Sequence, residues 1–192
     1  MKKAEAGIGV LIVFIAMILI AAIAAGVLIT ISSQLQSTAI TTGQQTRDQV
    51  STALVPLQVY VLDQDNTTNR VYNFTFIKTR LTAGSNSIRL TDALLRIDIE
   101  GTNQNYQYNG SIGCANASAL PVGTFSANFI SGGDDVNYIN QGDLADLCFF
   151  TPTALNESQS FRISFVPNSG QPMYLDLTTP MVMIKMREEI FP

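Results

Sequence analysis

The chain has 192 residues, a formal net charge of −4 at pH 7 and no histidine. The negative charge argues against nucleic-acid binding. The sequence shows no glycine-rich phosphate loop after a predicted strand and no serine or cysteine beside a recognisable base, so it gives no support to an enzyme. We therefore expect no catalytic residue and no required cofactor.

An apolar run of 25 residues, Gly7 to Ile31, lies near the N-terminus and contains no charged side chain. At about 1.5 Å per residue, a helix of this length crosses the ~30 Å hydrocarbon core of a bilayer. Lys2 and Lys3 precede the run, whereas the next basic residue after it is Arg47. This asymmetry predicts a cytoplasmic N-terminus and places the rest of the chain outside the cell.

The apolar run has three interpretations. A secretory signal peptide needs a shorter stretch, roughly 7–15 residues, and then a small-residue cleavage site; residues 30–36 offer no persuasive one. A plain signal anchor needs only the length. The third interpretation follows from the residues themselves. The segment Gly7 to Ile29, which begins Gly7-Ile8-Gly9-Val10, resembles the N-terminal segment of archaeal flagellins (archaellins) almost without a break.

The resemblance implies a processing site. Archaellin precursors carry a short basic leader that a dedicated membrane peptidase removes just before the apolar segment. Lys2-Lys3-Ala4 followed by Glu5 is similar to that arrangement and predicts cleavage between Ala4 and Glu5. The leader, residues 1–4, is short, and Ala4 stands where glycine is more usual in the family. Cleavage here leaves the apolar helix on the mature protein.

We expect this helix to continue to residue 55. Residues 32–55 are rich in Ser, Thr and Gln, with apolar residues recurring at spacings near three and four, and Pro56 marks an end. The alternative for this part is a flexible linker; the long N-terminal helix of archaellins favours a helix. Small residues such as Ala21, Ala25 and Gly26 let helix backbones approach closely. We therefore predict that residues 5–55 pack with other copies in a filament core.

The residues after Pro56 are predicted to be β structure. Short β-favouring segments separated by turn residues predict one antiparallel sandwich or barrel over residues 56–192, outside the cell. The fold class is therefore α+β, and archaellins likewise carry a β domain after their helix. The predicted strands are Leu57–Leu62, Val71–Thr79, Ile88–Leu90, Leu94–Glu100, Phe125–Ile130, Leu147–Phe150, Phe161–Val166, Met173–Leu177 and Met181–Met186.

Five Asn-x-Ser/Thr sequons occur in this domain, and we predict N-glycosylation there because archaellins are commonly glycoproteins. Composition alone accounts for one or two of them. The asparagines are Asn66, Asn73, Asn109, Asn116 and Asn156. Asn73 is the one expected to stay unmodified, since it falls inside a predicted strand.

The two cysteines, Cys114 and Cys148, both lie in the predicted exterior domain. A disulfide across this separation would stabilise the fold by about 3 kcal/mol. The alternative is a pair of buried free thiols.

An acidic stretch from residue 133 to residue 146 concentrates oxygen ligands of the kind that calcium prefers. The candidate ligands for Ca²⁺ or another divalent cation are Asp134, Asp135, Asn137, Asn140 and Asp143. Their spacing does not match an EF-hand, and a solvated loop is the favoured alternative. Gly142-Asp143-Leu144 also resembles a short element of archaellin β domains, which indicates a structural turn.

These features lead us to expect a structural subunit of the archaeal flagellum filament, a homopolymer that can include paralogous subunits and serves swimming motility. The resemblance implies a leader peptidase and membrane export machinery as partners, with the chain inserted in the membrane before assembly and extracellular afterwards. One alternative is an adhesive type IV-like pilus subunit. Another is a single-pass anchored surface domain, which predicts no filament and an uncut leader.

Overall fold

The structure is a computed structural model that describes residues 2–63, 71–114, 120–132 and 135–191, with the backbone alone for residues 2–6. It divides into two compact units, Met1–Thr46 and Arg47–Pro192. An α-helix, α1, runs from Lys2 to Ser51, and a short 3₁₀ helix covers Leu90–Asp92. The described residues form eleven strands: β1 Leu54–Asp63, β2 Tyr72–Leu81, β3 Ile88–Arg89, β4 Leu94–Ile99, β5 Thr102–Tyr108, β6 Thr124–Ser131, β7 Tyr138–Ile139, β8 Leu144–Leu155, β9 Ser160–Val166, β10 Met173–Thr178 and β11 Arg187–Phe191.

The helix ends four residues before the predicted residue 55. Thr52 N donates to Asp48 O to close its last turn, and β1 begins at Leu54. Pro56 is therefore not a helix terminator: it lies inside β1, beside an irregularity in the pairing with β2. A proline is tolerated at such a place because the ladder already lacks a regular hydrogen bond there.

The end of α1 is satisfied by hydrogen bonds from the β domain. The last carbonyls of a helix have no partner within the helix. Here the Gln171 side chain donates to Val50 O at 3.0 Å, and Ser85 Oγ donates to Ser51 O at 3.2 Å. Gln171 N donates to Thr52 O at 2.8 Å. The carbonyl groups at the end of α1 are therefore satisfied by residues of the β domain.

Nine strands form one sheet in the order β10-β9-β4-β5-β6-β8-β2-β1-β11. Neighbours pair antiparallel except β5 and β6, which pair in parallel through Gln107–Thr124 and Tyr108–Phe125. The edge strands β10 and β11 approach each other, so that the sheet is nearly a closed barrel. A small second sheet pairs β3 with β7. The predicted α+β class is confirmed.

The main core lies on the concave face of the sheet. In β9, Phe161, Ile163 and Phe165 are buried whereas Arg162 is exposed, which is the alternation that the sequence predicts. The largest fully buried side chains are Tyr106, Phe125, Phe149, Phe165, Ile77, Ile88, Leu90, Leu95, Ile97, Ile99, Ile139 and Leu147. A second, smaller cluster on the other face contains Tyr60, Phe74, Phe76, Cys114, Leu120 and Cys148.

One predicted strand is wrong. Met181–Met186 forms a loop before β11, because the backbone N–H groups there bond to carboxylates and not to a neighbouring strand. Glu188 Oε1 accepts from the N–H groups of Ile184 and Lys185 at 2.9 and 2.7 Å, and Glu157 Oε1 accepts from Met183 N at 2.9 Å.

Candidate assembly surface and modification sites

The N-terminal helix presents apolar side chains on every side. Residues 7–31 are all exposed in the single chain, Ile8 by 63%, Phe14 by 64% and Ile29 by 70%. Soluble monomers rarely expose a contiguous apolar surface of this extent. The helix is long and apolar enough to cross a membrane. Its surface therefore requires either lipid or other apolar helices around it.

The predicted cleavage site lies in the first turns of this helix. Ala4 and Glu5 are helical in the intact chain, and their side chains are outside the described part. Cleavage there would leave the whole apolar run, Gly7 to Ile31, on the mature protein.

The sequon asparagines that the structure describes differ in environment. Asn156 is exposed, and Asn109 is half-buried with its side-chain oxygen accepting from Ser111 N at 3.1 Å. Asn73 lies within β2, and its Oδ1 is buried without a hydrogen-bond partner. Asn66 and Asn116 lie outside the described residues. Because the side chain of Asn156 is exposed to solvent and the amide oxygen of Asn73 is buried, we expect glycosylation at Asn156 rather than at Asn73.

A disulfide joins Cys114 to Cys148, with 5.8 Å between their Cα atoms. Cys148 lies in β8, fully buried, whereas Cys114 belongs to the connection between β5 and β6. The bond fastens this connection over the second cluster, where the rings of Tyr60 and Phe76 stack at 4.8 Å. The described cysteines include no free thiol.

Two of the described carboxylates of the acidic stretch, Asp135 and Asp143, stabilise turns. Asp135 Oδ1 accepts from Asn137 N at 2.9 Å, and Asp143 Oδ2 accepts from Asn140 N at 2.8 Å. In the part of the chain that the structure describes, no group of three or more His, Cys, Asp or Glu is placed to hold a metal ion. Asp134 lies outside that part. The divalent-cation site stays a prediction.

Gly132 lies directly against the buried Asp143. It has a φ of +78°, and a Cβ at this position would be 1.9 Å from Asp143 Oδ1. Only glycine fits this approach. The Gly142-Asp143-Leu144 element therefore acts as a structural turn in this chain, with its carboxylate between two backbone segments.

Asp146 is buried on the face opposite the main core, and its Oδ1 has no hydrogen-bond partner among the described residues. Tyr60 OH donates to its other oxygen at 3.5 Å. Burial raises the pKa of the Asp146 carboxyl above its usual value, although the nearby Lys78 ammonium opposes the shift. Burial, with the Asp146 charge, also raises the pKa of Tyr60 to about 12. The Arg187 guanidinium lies 3.7 Å from the centre of the Tyr60 ring.

Two sets of residues were not predicted from the sequence. One is Thr82, Ser85 and Gln171, which bond to the last residues of α1; the other is the cluster around Asp146. Each joins positions that are far apart in the chain, as when Asp146 pairs with Lys78 across β8 and β2. No local sequence signal marks such contacts.

Comparisons with known proteins agree with these features. The model of the archaeal-type flagellin family matches residues 4–176. Flagellin A1 of Haloferax volcanii is 32% identical over 98% of this chain and 91% of its own length. The crystal structure of a Methanocaldococcus jannaschii archaeal flagellin has a TM-score of 0.65 at 19% identity, covering 73% of this chain and 97% of its own.

The structure of the archaeal flagellum of Methanospirillum hungatei has a TM-score of 0.70 at 12% identity, covering 97% of this chain and 99% of its own. At these identities the two structures show a shared fold, and the family model with the Haloferax relative shows the family. The chain belongs to the archaeal-type flagellin family, and it is a structural subunit of the archaeal flagellum filament.

Proposed function

We propose that this chain is made as a membrane-inserted precursor, loses residues 1–4, and then enters the filament with its helix in the core and its β domain outside. The observation that carries the proposal is the apolar surface of residues 7–31, exposed on every side in the single chain. That surface suits lipid before assembly and other copies of the same helix afterwards.

To move from the membrane into the filament, the helix needs contacts with other helices that are at least as favourable as its contacts with lipid. Between apolar helices in lipid there is little hydrophobic driving force, so close van der Waals contact must supply the attraction. The helix carries small residues on several sides, and a Cβ added at Gly7, Gly9 or Gly26 meets no atom within 4 Å in the single chain. Neighbouring copies can therefore approach these backbone positions closely.

The same proposal assigns partners and modifications. A leader peptidase would cut after Ala4, and membrane export machinery would transfer the subunit to the growing filament. Glycans on the exposed sequon Asn156 would cover the outer surface, with Asn66, Asn109 and Asn116 as further acceptors.

The test is peptide mapping by mass spectrometry of filaments sheared from the cell surface. We expect a chain that begins at Glu5 and carries added mass on one or more sequon asparagines. Substitution Ala4→Leu should block processing, because a bulky side chain replaces the small residue before the cut. Ala4→Gly is the matched control and should be processed normally.

A chain that stays in the membrane fraction beginning at Met1 would contradict the proposal and support an anchored surface domain. A swimming assay separates the remaining alternatives. Loss of this subunit should abolish swimming, whereas an adhesive pilus subunit would leave swimming intact and reduce surface attachment.

A further inference from the structure

The outer face of β1, β2, β8 and β6 is only partly covered. Toward the far ends of these strands, the connection held by Cys114 covers Tyr60, Phe74 and Phe76. Next along the strands comes a polar row, in which Lys78 and Asn128 flank Asp146 in register. Beyond this row, toward the end where the helix joins, the face has an open groove.

The floor of this groove is a second row of residues in register across the four strands. Val55 pairs with Arg80, Arg80 with Leu144, and Leu144 with Ser131. We call it the strand-end groove; it is lined by Val55, Leu57, Arg80, Thr82, Ser131 and Leu144, among others. Arg80 and Ser131 are exposed, and Val55, Leu57 and Leu144 are half-buried.

Two irregularities insert an extra apolar residue into the strands near this end of the sheet, and one of these residues, Leu57, lines the groove. The register of β1 with β2 shifts between Pro56 and Gln58, which leaves Leu57 as an extra residue on the outer face. The register of β6 with β8 shifts between Phe129 and Ser131, and the extra residue Ile130 is 49% exposed. Bulges of this kind re-aim side chains that a regular strand would direct elsewhere.

The strand-end groove adjoins the residues at which α1 ends. Thr82 lines the groove, and its hydroxyl bonds to Ser51 O at 3.4 Å and to Ala53 O at 3.3 Å. If the helices of many copies form the filament core, as proposed above, the residues at the end of each helix lie beside that core. The groove next to those residues is then within reach of the helices of other copies.

The chemistry of the groove selects which part of a neighbouring helix it accepts. Val55, Leu57 and Leu144 make part of the groove apolar, while Arg80, Ser131 and Gln141 are polar and exposed. No ion pair to Arg80 is formed by the described residues. Residues 7–31 of the helix are almost entirely apolar, so they offer few hydrogen-bonding side chains to these polar residues. Residues 32–50 are rich in Ser, Thr and Gln and place exposed Leu35 and Ile40 among them.

We propose that the strand-end groove receives residues 32–50 of the helix of a second copy, with aliphatic side chains on Leu57 and Leu144 and helix hydroxyl or amide groups on Arg80. This inference rests on the proposed position of the helix in the filament core. It adds a second contact, between the β domain of one subunit and the polar half of a neighbour's helix.

The first test compares two Leu→Asp variants of the full-length protein. L57D places a charge in the groove and should abolish surface filaments. L94D is the matched control, because Leu94 is also a strand leucine, 39% exposed, outside the groove, and its filaments should persist. Folding is checked in the membrane fraction by formation of the Cys114–Cys148 bond and by protease resistance of the β domain. Normal filaments from a folded L57D protein would overturn the proposal.

The second test identifies the occupant without disturbing folding. An L57C variant carrying a thiol-reactive photo-cross-linker is irradiated in intact filaments and analysed by denaturing gel and peptide mapping. We expect cross-linked dimers in which the label joins residue 57 to a peptide within residues 32–50. Cross-links within one chain, or to a β domain or an unrelated protein, would overturn the proposal. Unmodified and L94D chains are examined beside the labelled variant. If they form no filaments, the proposed function is wrong; if they form filaments but residue 57 does not cross-link to residues 32–50, only the groove contact is wrong.

Discussion

Removal of the disulfide is the perturbation whose size the structure defines best. The double variant C114A/C148A deletes a bond that closes a separation of 34 residues. In the chain-entropy treatment, a loop of this length constrains the unfolded state by about 4 kcal/mol at 25 °C, slightly more than the ~3 kcal/mol expected from the sequence alone. Alanine also leaves a smaller side chain at the fully buried position 148, which adds to the loss.

A loss of this size should lower the melting temperature strongly. For a chain in this size range, each kcal/mol corresponds to about 2–4 °C, so we expect a decrease of about 8–16 °C. The loss should fall on the β domain alone, because both cysteines lie in it.

The assay is scanning calorimetry of the full-length subunit in detergent, which keeps the helix covered and prevents polymerisation. The unmodified protein is melted with and without reductant, beside the alanine variant. Reductant should lower the melting temperature of the unmodified protein toward that of the variant and leave the variant unchanged. Equal melting temperatures for oxidised and reduced unmodified protein would show that no disulfide stabilises the β domain and would favour a pair of thiols.

Three further substitutions test local claims in the same melting assay. Gly132→Ala should destabilise the protein more than Gly84→Ala, since both glycines have positive φ but only the former Cβ would meet Asp143; equal losses would contradict the close approach. The pKa of Asp146 is higher in the folded protein than its ordinary value of about 4. The folded state is therefore most favoured below that ordinary pKa and loses stability as the pH rises through the raised pKa. Asp146→Asn should remove this decline, and an unchanged pH profile would contradict it. Asp176→Asn should change melting little, because its ion pair with Arg162 is exposed to solvent; a large loss would show otherwise.

The features that sequence predicted well are those with local causes. The charge-free run from Gly7 to Ile31 sets both the helix and its need for an apolar environment. The alternation in Phe161–Val166 sets which residues of β9 enter the core. In both cases the side-chain period alone determines the result.

The features that sequence did not predict depend on tertiary contacts. β5 is Thr-Asn-Gln-Asn-Tyr-Gln-Tyr, a composition with a weak strand signal, and it is held by pairing with β4. Met181–Met186 has strand-like composition but gives its N–H groups to Glu157 and Glu188. Pro56 does not end the helix, because it lies inside β1 beside a bulge that the sequence does not show.

The candidate sites divide in the same way. The apolar surface of α1 can be predicted from the sequence because it is formed by consecutive residues of one segment. The strand-end groove is not, since Val55, Arg80, Leu144 and Ser131 meet only through the register of four strands. Long-range pairing of this kind leaves no periodic signal in the chain.

Helical reconstruction by electron cryomicroscopy of filaments sheared from the cell surface would show where the helix lies in the assembly. We expect filaments built from this chain, with residues 7–51 buried among the helices of neighbouring copies and residues 54–191 forming the outer layer. A filament held together by β domains alone, with the helix absent or outside the core, would contradict this expectation.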